Sequence, residues 1–259
     1  MGVGVSIKRS LRKLLRRAVR ESFARFGYEV RKAPRVGFKA APIFDLAVQC
    51  LMLKRGSALR FIQVGANDGC VGGDPLRKYI LQHGWTGVLV EPQPDVYEAL
   101  KRNYAGLEDR LFFENLAITD RSTEVSLYRS RGDRAGTDLA SASTVASLNP
   151  EVAAQQLRLA NRDLQEIVVP AAKLDQLVEK YDLKALDILQ VDTEGHDWQV
   201  LQTLDLATTK PTLIQFEHGH LSPGDIRAVT ERLNAHDYLI YFGGHQSDSL
   251  AIHREFVDG

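Results

Sequence analysis

Five short polar stretches stand directly after apolar runs, and each carries side chains that bind ligands or move protons. Gly65-Ala66-Asn67-Asp68-Gly69 follows Phe61-Ile62-Gln63-Val64. Glu91-Pro92 closes GVLVE, and Glu114-Asn115 closes RLFFEN. Asp192-Thr193-Glu194-Gly195-His196 closes LDILQVD, and Glu217-His218 closes TLIQFE, with His220 two residues on. Carboxylates and histidines are the usual general acids and bases. Carboxylates also hold hard cations. Taken singly, each stretch reads as a turn or a helix cap. Five such stretches after separate runs point to one shared site.

The runs in front of them read as strands, and helical segments alternate with several of them. The β-type runs cover 59–64, 87–91, 110–115, 125–130, 166–171, 186–192, 212–217, 238–242 and 249–254. Asp74 and Pro75 are an N-cap and first-turn proline for a helix over 75–83, and Pro94 opens another. Leu174, Leu177, Val178 and Tyr181 keep helical spacing, Asp197 caps a helix carrying Trp198, Leu201 and Leu204, and 224–235 forms one more. This alternation predicts an α/β fold with a mostly parallel sheet and helices on both faces. Only GGHQSD separates the last two strands, so a hairpin must join them and the final strand runs antiparallel. In open sheets of this kind ligands bind beyond the carboxyl ends of the strands. All five polar stretches fall there.

Charge divides the chain unevenly. The first forty residues hold twelve Lys or Arg and two Asp or Glu; the other 219 hold 21 and 31. Residues 1–40 thus read as a basic arm and 41–259 as an acidic body. Within the arm, Ile7, Leu11, Leu14, Leu15, Ala18, Val19, Phe23 and Phe26 repeat at helical spacing opposite Lys8, Arg9, Arg12, Lys13, Arg16, Arg17 and Arg20. Such a basic amphipathic helix over 6–26 either docks its apolar stripe on protein, the body or a second subunit of a homo-oligomer, or lies on an anionic membrane or glycan precursor. Nucleic acid is not an expected partner of an acidic body without a binding motif. Cys50 and Cys70 alone make no disulfide framework, which suits a reducing, cytoplasmic location, peripheral to the membrane where the arm binds lipid. No apolar run approaches the ~18 residues of a membrane span. Residues 131–165, rich in Ser, Ala, Gly, Thr and Gln, read as an insertion that forms a lid over the substrate site.

The loop after the first strand separates two kinds of nucleotide ligand. A dinucleotide needs tight glycines and a helix N-terminus aimed at its diphosphate. Gly65 to Gly69 is G-x-x-x-G, and the helix is delayed to about residue 75. S-adenosylmethionine carries no phosphate; it needs close backbone approach and a carboxylate for its ribose hydroxyls. Glu91, 26 residues after Gly65, suits that role. An acid there also serves NAD proteins, so the loop and not Glu91 discriminates.

FIQVGANDG, VEPQPDVYEAL, ENLAI, SASTVASL, KLDQLV, LDILQVDTEGHDWQVL and IQFEH follow one another in the order seen in FkbM-family methyltransferases, which the chain resembles over about residues 59–220. The resemblance implies a Rossmann-like class I S-adenosylmethionine-dependent fold of seven strands with the last antiparallel. It also implies O-methyl transfer to a hydroxyl of a sugar, glycolipid or secondary metabolite. On this basis Gly65, Ala66, Asn67 and Gly69 shape the cofactor loop, Glu91 holds the ribose, Asn115 to Ala117 lie near the adenine, and Asp192 stands near the transferable methyl. Cys70-Val71-Gly72-Gly73-Asp74 departs from the small polar residues expected there.

An alcohol needs its proton removed before it attacks, so a base or a metal is wanted. Asp192, Glu194, His196, Glu217 and His218 are the candidates. Some related oxygen methyltransferases hold a divalent metal on carboxylates from these two strand ends, so Asp192 and Glu217 are candidate ligands for a Mg²⁺ ion, with His218 as base. Two other readings remain: a non-catalytic module that keeps the fold to bind a partner, and an NAD-dependent enzyme.

Overall fold

In a computed structural model the described residues are 43–70, 74–120, 123–130, 145–157, 163–243 and 248–258. The basic arm, the glycine-rich stretch 71–73, most of the proposed lid and the last hairpin loop lie outside them. Helix α1 (Ile43–Arg55) leads into β1 (Arg60–Val64), α2 (Arg77–His83), β2 (Thr86–Val90), α3 (Pro94–Asn103) and β3 (Leu111–Glu114). Next come β4 (Ala117–Ile118), β5 (Glu124–Ser130), β6 (Ala146–Ser147), α4 (Pro150–Leu157) and β7 (Leu164–Ala172). The chain returns through α5 (Leu174–Lys180), β8 (Ile188–Val191), α6 (Asp197–Gln202), β9 (Leu213–Glu217), α7 (Pro223–Ala235), β10 (Tyr238–Phe242), β11 (Asp248–His253) and α8 (Arg254–Asp258).

Seven strands make the main sheet, in the order β10-β11-β9-β8-β1-β2-β3. β11 is antiparallel to both its neighbours; the other strand pairs in the sheet are parallel. The expected hairpin thus exists, and its second strand inserts between β10 and β9.

Strands of such a sheet are buried on both faces, so they read as continuous apolar runs. Alternate residues feed two cores. Phe61, Leu89, Ile188, Leu213 and Leu250 face Phe44, Val48 and Leu51 of α1, Ile80 of α2 and Leu100 of α3. Ile62, Val64, Val88, Leu189, Val191, Ile214 and Phe216 face Leu177 of α5, Val200 of α6, and Val229 and Leu233 of α7. Full burial of each such side chain contributes roughly 1.5–3 kcal/mol.

The runs at 125–130 and 166–171 depart from the expected parallel sheet. They become β5 and β7 of a second sheet, β4-β7-β5-β6, in which β5 and β7 pair antiparallel over seven residues. The reason is one-sided burial: Val169 is buried with Leu127 and Ala117, while its neighbour Val168 is 67% exposed. Alternation of this kind suits an antiparallel pair with one wet face. Ser147 of β6 donates its hydroxyl to the carbonyl of Glu194 (2.8 Å), which holds this small sheet against the end of β8.

Asp197 also departs from expectation. It is the first residue of α6, after His196 at the cap position, and its side chain turns into the protein, where the residue is fully buried. One oxygen accepts the Glu217 N–H (2.8 Å); the other accepts the Thr193 N–H (3.1 Å) and hydroxyl (2.7 Å). Asp197 therefore ties the end of β9 to the turn after β8. An orphaned buried donor costs roughly 1–3 kcal/mol. Asp197→Ala orphans two N–H groups and should lower unfolding free energy in urea by about 3 kcal/mol. A loss below about 0.5 kcal/mol would show that the tie is not structural.

Candidate functional site

A cavity of about 450 Å³ opens at the carboxyl ends of the central strands. Its wall includes Gly65, Ala66 and Asn67 after β1, Glu91 to Gln93 after β2, Leu116 to Ile118 after β3, and Asp192 to Glu194 after β8. Leu127 and Val145 to Leu148 of the second sheet close one side; Asp74, Pro75, Gln215 and Asp248 complete the other.

The β1 loop leaves the sheet by a turn that only glycine permits. Gly65 has φ +78°, and a Cβ there would lie 1.8 Å from the carbonyl oxygen of Asp192. Its N–H and that of Ala66 both donate to the Val90 carbonyl (3.0 and 2.9 Å). Gly69 shapes the loop without lining the cavity. Its N–H closes a turn onto the Ala66 carbonyl (3.0 Å), and a Cβ would strike the Tyr104 ring at 2.5 Å. Arg77 and Asn103 donate to the carbonyls of Gly69 (3.0 Å) and Asp68 (2.8 Å), anchoring the loop from two helices.

Glu91 is 4% exposed and points into the same corner. Its Oε2 accepts the Asn67 N–H (3.0 Å) and its Oε1 the Gln93 N–H (2.9 Å). Burial pushes its carboxyl up to about 7, and the Gln93 and Asn67 N–H groups work against that rise. The two oxygens offer about four acceptor positions, and the Gln93 side chain takes a third beside the two N–H groups, so Glu91 can brace the loop and still accept from a ligand. Asn115 does not line the cavity. It donates to the carbonyls of Glu91 (2.8 Å) and Pro92 (3.1 Å), fixing the end of β2, while Leu116, Ala117 and Ile118 form the wall.

Asp192 lines the cavity beside Glu194 and Asp248. Enclosure by protein, then the charges of Asp197, Glu217, Glu194 and Asp248, push its carboxyl up to about 9. More than a third of the residue's surface is open to the cavity, and water there moderates the rise without reversing it. Burial likewise raises Asp74 and Asp248.

Glu217 and His218 are not in the cavity wall. His218 Nδ1 lies 2.8 Å from the Ser249 hydroxyl, and its ring stands edge-on to Phe242. Glu217 turns toward His220 (3.7 Å), which also approaches Glu194 (3.8 Å). Among the described residues, the grouping with the reach to hold a cation is Glu194, Glu217 and His220; Asp192 is outside it. The expected Asp192–Glu217 pair with His218 as base is not assembled: Glu217 turns to His220, and His218 is held by Ser249, although the Glu217 charge still reaches Asp192.

Three wall residues escaped the sequence reading. Gln63, Gln190 and Gln215 are register partners on β1, β8 and β9, one residue before the end of the first two strands and two before the end of the third. A polar residue at one alternating position in three buried apolar runs was the available signal.

The strand order, the reversed β11 and a cavity spanning the ends of β1, β2 and β8 define a Rossmann-like class I methyltransferase. The family model described as the methyltransferase FkbM domain matches residues 63–240, and the chain belongs to that S-adenosylmethionine-dependent family. Among solved structures, the N-terminal domain of human METTL16 aligns at 12% identity over 81% of this chain and 68% of its own, with TM-score 0.44. The chain thus spans about two thirds of the length of that relative. The O-methyltransferase from Bacillus cereus in complex with SAH aligns at 14% identity over 83% of each chain, with TM-score 0.41. The precorrin-6y C5,15-methyltransferase from Geobacter metallireducens aligns at 10% identity over 87% of this chain and 94% of its own, with TM-score 0.41. No curated protein matches the sequence.

Glu91 makes fold stability depend on pH. Its carboxyl loses its proton near 4.5 when unfolded and near 7 when folded, so between these values the folded state holds more protons. Stability from this residue is complete below 4.5 and is lost as pH rises through 7. The loss is on the order of 3 kcal/mol. Glu91→Gln, uncharged throughout, should show a shallower fall of Tm between pH 4.5 and 7 than wild type. Equal slopes would contradict the burial of an ionisable group there.

Proposed function

We propose that the cavity is the S-adenosylmethionine site of an O-methyltransferase acting on a hydroxyl of a sugar, glycolipid or secondary metabolite. The observation that carries this reading is the convergence of the Gly65 turn, the Glu91 carboxylate and Asp192 on one cavity. The donor set fits this cofactor. A flush backbone at Gly65 leaves room for a methionine chain, Glu91 accepts from ribose hydroxyls, and Leu116, Ile118 and Leu127 offer an apolar slot for the adenine. No Lys or Arg stands among the described residues of the wall, and α2 begins only at Arg77. A diphosphate would meet carboxylates and no counter-charge, which favours this reading over a dinucleotide.

Bound S-adenosylmethionine supplies a methyl group activated by its sulfonium. The chain's own work is to place the acceptor in line with that methyl and to remove the hydroxyl proton. Asp192 is our candidate base, since it faces the cavity; its raised carboxyl is a stronger base than an ordinary aspartate, and a cation beside it would draw its proton loss down toward neutral pH. The carboxylates around it also favour a neighbouring cation. No step is routed through a metal.

Two outcomes test this reading. With radiolabelled S-adenosylmethionine and a panel of hydroxyl, amine and carboxylate acceptors, label should enter base-stable methyl ethers. Base-labile esters would place the methyl on a carboxylate oxygen and N-methyl products on nitrogen, and either would overturn methylation of a hydroxyl. On the labelled acceptor, Asp192→Asn should lower kcat by about 10²-fold or more, with S-adenosylhomocysteine affinity within about threefold of wild type. Wild-type kcat should rise with pH up to about 9 as Asp192 loses its proton, and a bound sulfonium should move that limb to lower pH. A flat profile together with an active Asn variant would remove Asp192 from the chemistry.

A further inference from the structure

Helix α1 buries one face and keeps apolar side chains on another. Phe44, Ala47, Val48 and Leu51 pack into the core. Ile43, Leu46, Cys50 and Leu53 recur at three- and four-residue steps, so they share a second side of the helix. Ile43 is 48%, Leu46 56% and Leu53 87% exposed, and Cys50 is exposed between them. α8 extends this stripe. Lys54 donates to the Phe256 carbonyl (2.8 Å) and lies over the Phe256 ring, which sets α8 beside the last turn of α1, and Val257 is 51% exposed. Of the eight large apolar residues exposed among the described ones, these two helices hold four. Single exposed leucines are ordinary, whereas a run of them along one helix marks an interaction surface.

Area and charge decide what covers it. A helix of this length is ~20 Å long, so a stripe ~10 Å wide offers roughly 200 Å². A stable dimer buries about 800 Å² on each partner. The stripe is too small to hold a second copy by itself. A lipid surface asks for less: a few apolar side chains enter the acyl boundary while basic residues meet anionic headgroups. The chain supplies that charge. Residues 1–40, which end three positions before Ile43, hold twelve Lys or Arg against two Asp or Glu. Lys54, Arg55 and Arg254 are exposed on the same two helices. Among the acids of these helices, Asp45 turns to Lys78 and Tyr79 of α2 (2.6 and 2.8 Å) and Glu255 to His253 (3.7 Å), while Asp258 ends α8.

We infer that the outer side of α1, with Val257 of α8, docks on an anionic lipid surface through Ile43, Leu46 and Leu53. The placement suits such a contact. α1 runs from the cavity edge of the sheet, where Asp45 meets the first turn of α2, to the opposite edge, where Arg55 meets Asp187 just ahead of β8 (2.8 Å). None of its residues lines the cavity. A docked α1 therefore leaves the cavity open, with the Ile43 end of the helix on the cavity side. The inference does not depend on which cofactor or acceptor the cavity takes.

The test uses the full chain and two kinds of vesicle, phosphatidylcholine alone and phosphatidylcholine mixed with phosphatidylglycerol. The chain should sediment with the anionic vesicles and not with the neutral ones, and added salt should weaken the binding. Leu46→Gln with Leu53→Gln changes two solvent-facing side chains. It should weaken partition onto the anionic vesicles by about tenfold or more with thermal unfolding unchanged. A second measurement stands should that variant fail to fold. An environment-sensitive fluorophore on Cys50, in a chain carrying Cys70→Ser, should shift to the blue when anionic vesicles are added. No binding to anionic vesicles, equal binding to neutral ones, unaltered partition of the glutamine variant, or an unshifted fluorophore would each overturn the inference. A lipid-free dimer that the glutamine variant converts to monomer would overturn it too, and would assign the stripe to a second copy of the chain.

Discussion

Everything at this site depends on one backbone contact. At Gly65 the chain turns out of β1 so close to the Asp192 carbonyl that a methyl carbon would sit at 1.8 Å. The turn therefore needs both the left-handed φ and the missing side chain that glycine provides. Because the two backbones touch, the loop after β1 and the turn after β8 form a single floor. The Val90 carbonyl takes both N–H groups that lead into the loop, and Glu91 takes the next one at Asn67. Three neighbouring strands thus fix one loop, and the cavity inherits their precision without requiring a helix dipole or an ion.

The second constraint is charge. Asp74, Glu91, Asp192, Glu194 and Asp248 share the wall, and Asp197 lies just behind it. Such a group is unfavourable in an empty site: burial raises Glu91 and Asp192, and like charges raise Asp192 further. On the proposed reading, a cationic sulfonium with hydroxyl-bearing ribose would relieve that strain, making binding and charge relief the same event. Asp197 adds order. It is ringed by the Thr193 and Glu217 N–H groups and holds two strand ends in register while staying out of reach of any ligand.

Much of this was legible from the chain alone. Continuous apolar runs such as Phe61–Val64 and Ile188–Val191 announce strands buried on both faces, and the polar stretches after them mark the edge where ligands bind. GGHQSD, too short for a crossover, revealed the reversed last strand. What stayed hidden was direction. Asn115 and His218 occupy the right strand ends, yet one side chain turns back to brace the Glu91 and Pro92 carbonyls and the other meets Ser249. A side chain just past a strand end has left the two-residue alternation, so its sense is set by tertiary neighbours. The second sheet was concealed for a related reason: β5 and β7 read as strands, and only their one-sided burial shows that they pair with each other. The glutamines show the opposite case. Their alternation was visible, but three aligned polar residues become meaningful only once the register of β1, β8 and β9 is known.

The central claim is that the floor built by Gly65, Glu91 and Asp192 receives S-adenosylmethionine and no dinucleotide. Isothermal titration of the full chain with S-adenosylhomocysteine, and separately with NAD, tests it most directly. The account predicts one S-adenosylhomocysteine bound per chain, with no heat of binding from NAD. Saturable binding of NAD, or no binding of S-adenosylhomocysteine to the folded protein, would contradict it.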